Sequence, residues 1–80
     1  MNSELKIIKL VLAKNDAYLL YFLLEATEGI CFYSTLPANP AQPGLATIEL
    51  KFHPSTSDDV HKLLSSIRKQ SLMSFEMIEG

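Results

Sequence analysis

Cys31, His53 and His61 are the residues best suited to nucleophilic or proton-transfer chemistry, and their spacing in the chain does little to join them. Cys31 stands in the apolar stretch Ile30-Cys31-Phe32 with no neighbouring base to lower its pKa, so an inert thiol is expected. His53 precedes a proline, and His61 falls on the expected outer face of a helix, neither with a carboxylate at fixed spacing. One cysteine and two separated histidines do not make a metal-ligand quartet, and a single cysteine excludes an internal disulfide. Glu25 and Glu28, three apart, could share acid–base work, but a solvated acidic helix end explains them equally. No catalytic residue, metal site or cofactor is assigned on these grounds, and the chain is not expected to be an enzyme. One polar cluster remains, Lys14-Asn15-Asp16, where a helix N-terminus could attract an anionic small molecule. Asn15 and Asp16 are read more simply as helix caps.

The charge balance narrows the partners. A net charge of −2 and a pI near 5.5 lack the basic footprint of a nucleic-acid binder. Lys62, Arg68 and Lys69 follow Asp58 and Asp59 along one helix, an arrangement that complements the helix dipole without a phosphate ligand. The apolar run 17–24 is far short of the roughly 20 residues that cross a bilayer. The first residues also lack the basic-then-apolar pattern of a signal peptide. A cytoplasmic protein with a reduced Cys31 and no membrane or nucleic-acid partner is therefore expected.

The elements that position these residues follow from pattern. Residues 5–13 are rich in Ile, Val and Leu, with Lys6 and Lys9 on opposite faces, as suits a central strand. Residues 16–28 favour helix by length and by Leu, Ala and Glu content, closing at Glu28-Gly29. Residues 30–36 read as a second, shorter strand, and three prolines make residues 37–44 a loop. In residues 45–53, Ala46, Ile48, Leu50 and Phe52 alternate with Thr47, Glu49, Lys51 and His53, the clearest strand in the chain. Pro54 stops it, and Ser55 with Asp58 suggests a capping box. Val60, Leu63, Leu64 and Ile67 then give a helix one apolar face. Met73, Phe75 and Met77 alternate with Ser74, Glu76 and Ile78 as a closing strand.

The order strand, helix, strand, strand, helix, strand is that of a ferredoxin-like α+β sandwich. Right-handed crossovers predict a four-stranded antiparallel sheet of order 4-1-3-2 with two helices on one face, and residues 1–80 form a single domain. A core this small rarely supplies more than about 3–5 kcal/mol, so association between chains is the natural supplement. Helical phase locates where. Ala17, Leu20, Leu23, Leu24 and Thr27 gather on one side of the first helix, and Tyr18, Tyr21, Phe22 and Glu25 on the other. Each ring can bury about 150–250 Å², so the outward set predicts an interface with a second copy, most simply a homodimer, or with another protein. The competing reading is that the Pro-rich loop covers the rings.

The segment Tyr18-Leu19-Leu20-Tyr21-Phe22-Leu23-Leu24-Glu25-Ala26-Thr27-Glu28-Gly29-Ile30, followed by a strand ending Ser34-Thr35-Leu36, resembles a family of small bacterial proteins designated a domain of unknown function. The chain departs from that pattern after Leu36, where Pro37-Ala38-Asn39 stands in place of an Asp-Pro pair. The resemblance implies the layout and neither reaction nor ligand. The layout also resembles ACT-type regulatory domains, which bind amino acids where the first strand meets the first helix. That resemblance implies a ligand at Lys14, Asn15 and Asp16, although the junction lacks the glycine such sites use. The expected function is a non-enzymatic interaction or regulatory module that self-associates through the first helix, with an ACT-like small-molecule sensor as the alternative.

Overall fold

In the computed structural model, which describes residues 4–27, 29–70 and 72–79, the chain forms four strands and two helices. In order they are β1 (Lys6–Ala13), α1 (Ala17–Ala26), β2 (Phe32–Thr35), β3 (Leu45–Phe52), α2 (Ser57–Lys69) and β4 (Phe75–Glu79). The sheet is antiparallel with order β2-β3-β1-β4, the expected order read from its other edge. β1 and β3 are central because they alone pair on both sides. Their register runs from Lys6 opposite Phe52 to Ala13 opposite Leu45.

Alternation along the strands decides what each face does. Ile8, Leu10 and Leu12 of β1 and Ile48, Leu50 and Phe52 of β3 are buried on one face. Ala17, Leu20 and Leu24 of α1 and Val60, Leu64 and Ile67 of α2 complete the same core. Met73 joins it ahead of β4, while Leu23, Leu63, Phe75 and Met77 pack at its margin. The fold is thus an α+β arrangement with one core between helices and sheet. Removing a side chain as buried as Phe52 costs about 3–5 kcal/mol.

The helix ends are built differently from the sequence expectation. Neither Asn15 nor Asp16 caps α1, because residues Lys14–Asp16 form a 3-10 turn and Asp16 already has helical angles, φ −84° and ψ −13°. Side-chain capping needs an extended residue at that position. The backbone N–H of Lys14 instead donates to the Gly44 carbonyl at 2.8 Å, tying the entry of α1 to the end of the Pro-rich loop. At the other end, Thr27 Oγ1 donates to the carbonyls of Leu24 (3.0 Å) and Leu23 (3.2 Å), and Gly29 takes φ +88°. Glu28, expected at this terminus, lies outside the described residues.

The Ser55–Asp58 capping box is absent too. Ser55 falls within a second 3-10 turn, Pro54–Thr56, and no side chain caps α2. Thr56 Oγ1 instead donates to the Ile30 carbonyl at 2.8 Å, pinning the start of α2 to the approach to β2. The dipole reading of α2 agrees with its ends, Asp58 and Asp59 in the first turn and Arg68 and Lys69 in the last. Arg68 has a further use. Its guanidinium lies over the Phe75 ring at 4.5 Å and Nη2 donates to the Phe75 carbonyl at 3.1 Å, joining α2 to β4.

Candidate functional site

α1 carries eight consecutive apolar positions, so its orientation is set by what the neighbouring strands offer on either flank. The buried stripe Ala17, Leu20 and Leu24 faces the sheet. Opposite it, Tyr18 is 78% exposed and Phe22 69% exposed, one turn apart, with Leu19 partly exposed beside them. The Pro-rich loop therefore leaves these rings open. Glu25 is exposed on the same side of the helix.

Tyr21 does not belong with them. It was expected to face outward, but it packs at the margin of the core, its ring stacked on Tyr33 of β2 at 5.0 Å and 18°. The physical reason is angular: Tyr21 lies about 100° around the helix from Leu20, a flank that edge strand β2 can reach. Its hydroxyl hydrogen-bonds Thr35 Oγ1. Tyr18 meets the Tyr21 ring edge-on at 6.5 Å. Glu25, in turn, accepts a 2.5 Å hydrogen bond at Oε2 from the Tyr33 hydroxyl. That bond to a carboxylate, with burial and the carboxylate's charge adding to it, holds the Tyr33 phenol above its ordinary pKa. The α1–β2 contact is thus a ring stack closed by two side-chain hydrogen bonds. Tyr33 and Thr35 were missed as part of this constellation, although their shared parity on β2 was a usable signal.

The strand–helix junction proposed for a ligand is only partly assembled. Lys14 and Asn15 line a hollow of about 260 Å³ with Ala17, Tyr18, Tyr21, Thr35 and Ala46, and Asp16 does not contribute to it. Among the described residues, Lys14 is the one charged side chain on that lining.

Elsewhere the fold brings together two residues that spacing kept apart. Cys31 and His53 line one hollow of about 150 Å³ with Gly29, Ile30, Phe32, Phe52 and Thr56. Burial pushes the Cys31 thiol above its ordinary pKa, the opposite of what activates a nucleophile. His61 is not on the outer face of α2 as expected. It is half-buried, edge-on to Phe52 at 6.4 Å, because position 61 borders the buried stripe at Val60 and Leu64. Among the described residues, no group of three His, Cys, Asp or Glu side chains could hold a metal ion, and no helix is long and apolar enough to cross a membrane. Compared with protein-family models, curated proteins and solved structures, the chain matches none.

Proposed function

We propose that this protein is a cytoplasmic, non-enzymatic interaction or regulatory module of ferredoxin-like layout that self-associates through the outward face of α1. The carrying observation is the pair of exposed rings, Tyr18 and Phe22, one turn apart on a helix whose opposite stripe is already committed to the core. Exposed rings of this size, each able to bury about 150–250 Å², mark interaction surfaces when they lie side by side. A second copy is the favoured occupant because α1 carries one charge, Glu25, and Tyr33 already engages it. Two such faces meet without repulsion at their centre. The strand order and the order of elements along the chain support the ferredoxin-like layout.

The test is sedimentation of the purified chain, with Tyr18→Glu/Phe22→Glu beside it. The parent is expected to dimerise and the variant to be displaced toward monomer with its circular dichroism unchanged, since neither ring is in the core. A parent that dimerises as strongly with both glutamates in place overturns the α1 reading.

The ACT-like alternative rests on the hollow beside Lys14 and Asn15. Its volume is below the roughly 300–1,000 Å³ of ordinary ligand pockets, which restricts it to a ligand of amino-acid size. A thermal-shift screen with amino acids separates the two, since a ligand that binds the folded state raises Tm.

A further inference from the structure

The face of the sheet turned away from the helices carries a pattern that the α1 reading does not use. Cross-strand partners share a face, so the register places Phe32, Lys51 and Ile7 in one row across β2, β3 and β1. The next row is Ser34, Glu49, Lys9 and Ile78, and the row after it contains Thr47, Val11 and Glu76. Phe32 is 67% exposed and Ile78 50% exposed at the two edges, with Ile7 and Val11 half-covered between them. Two lysines and two glutamates are interleaved with these apolar positions.

We infer that this open face docks a second copy of the chain, sheet against sheet, about a two-fold axis running parallel to the strands between β1 and β3. The charges favour this occupant and are matched by this axis. A face with Lys9 and Lys51 balanced by Glu49 and Glu76 offers no net field for a nucleic acid, whereas it is complementary to itself. An axis along the strands exchanges β1 with β3 and keeps each row in place. It therefore sets Lys9 over Glu49 of the second copy, and Glu49 over Lys9 of the second copy. An axis in the sheet plane across the strands and through the Lys9–Glu49 row would set lysine on lysine and glutamate on glutamate. In the favoured arrangement Ile7 lies against the Lys51 stem and Val11 against Thr47, with the two sheets about 10 Å apart.

The expected strength follows from size. Four strands about 4.8 Å apart, with eight-residue central strands rising about 3.3 Å per residue, give a footprint of roughly 500 Å² in projection. That is below the roughly 800 Å² per partner of a standard interface, so the contact belongs to the weak class and is sought at several hundred micromolar chain.

The contact is independent of α1, and the test isolates it by carrying Tyr18→Glu/Phe22→Glu throughout. In that background, sedimentation equilibrium is expected to show a concentration-dependent dimer. Lys9→Glu sets Glu on Glu across the axis, and Glu49→Lys sets Lys on Lys. Each alone is expected to weaken the dimer at least tenfold, and an equimolar mixture of the two to restore it as a heterodimer, because both cross-axis pairs are then opposite in sign. Either charge reversal also places like charges side by side within one sheet. Phe32→Ser, at an exposed edge position, is the companion variant and is likewise expected to weaken the dimer at least tenfold. A strict monomer in the α1-blocked background overturns the proposal. So does a dimer that none of the three substitutions weakens, since another surface or another partner would then use the face. Failure of the α1 reading alone is recognised separately, by a parent and an α1-blocked chain that associate equally.

Discussion

Tyr33 is the residue whose ionisation reports most directly on how α1 sits against β2. Its phenol donates to Glu25 and its ring stacks on Tyr21, so deprotonation would place an anion against a carboxylate. The folded pKa is thereby raised above the ordinary tyrosine value of about 10. A group with a raised folded pKa contributes its stabilisation in full below the unfolded pKa and loses it as pH rises through the folded one. The stabilisation from the Tyr33–Glu25 hydrogen bond is therefore full below about pH 10 and is lost as pH rises through the higher folded pKa. Ultraviolet titration of the chain's three tyrosines is expected to show a late-ionising component that Tyr33→Phe removes and Glu25→Gln moves back toward the ordinary value. Loss of no late component in Tyr33→Phe would assign the shift elsewhere. Cys31 gives the complementary case. Its thiol is raised by burial alone, so alkylation by iodoacetamide at pH 8 is expected to be several-fold slower in the folded chain than in urea. An equal rate in both states would show the thiol to be open.

At the scale of elements, phase was easier to read than termini. The alternation of Ala46, Ile48, Leu50 and Phe52 and the spacing of Val60, Leu63, Leu64 and Ile67 identify the faces of β3 and α2 that meet the core, with Ala46 and Leu63 at its margin and the others buried, because one face of each is apolar and the other polar. α1 offered no such contrast. With apolar residues all round, only the position of β2 decides that Tyr21 turns inward while Tyr18 and Phe22 stay out, and that position is a tertiary fact. The ends of the helices failed for a related reason, since both begin through 3-10 turns whose backbone angles leave the expected capping side chains unused. Stability measurements distinguish the two kinds of end. Asn15→Ala is expected to change the urea midpoint by no more than a few tenths of a kcal/mol equivalent, where a working cap would cost about 1 kcal/mol. Gly29→Ala is expected to cost about 1–2 kcal/mol, because an alanine there must hold a left-handed conformation. Nothing lies within 4 Å of the added carbon, so that cost is backbone strain alone.

For the whole molecule, the question is how a chain of 80 residues sustains a single core while leaving Tyr18, Phe22, Phe32 and Ile78 in water. The ion pair of Lys51 with Glu49 at 3.6 Å is a surface contact worth little. The core is small, the single Cys31 cannot form an internal disulfide, and among the described residues no group of three His, Cys, Asp or Glu side chains could hold a metal ion. Association that covers the exposed rings would add stabilisation, and it makes a prediction that a self-sufficient monomer does not share. If folding is coupled to dimerisation, a tenfold rise in chain concentration adds about 1.4 kcal/mol per dimer, or about 0.7 kcal/mol per chain. For a domain of this size, 1 kcal/mol moves Tm by about 4–8 °C. Calorimetry across a tenfold dilution series is therefore expected to show Tm falling by about 3–6 °C. Tyr18→Glu/Phe22→Glu is expected to lower Tm at high concentration and to flatten its dependence on dilution, leaving any residual slope to the sheet face. A Tm independent of concentration in the parent would mean that the exposed rings contribute nothing to stability through self-association, and that the core between helices and sheet carries the fold alone.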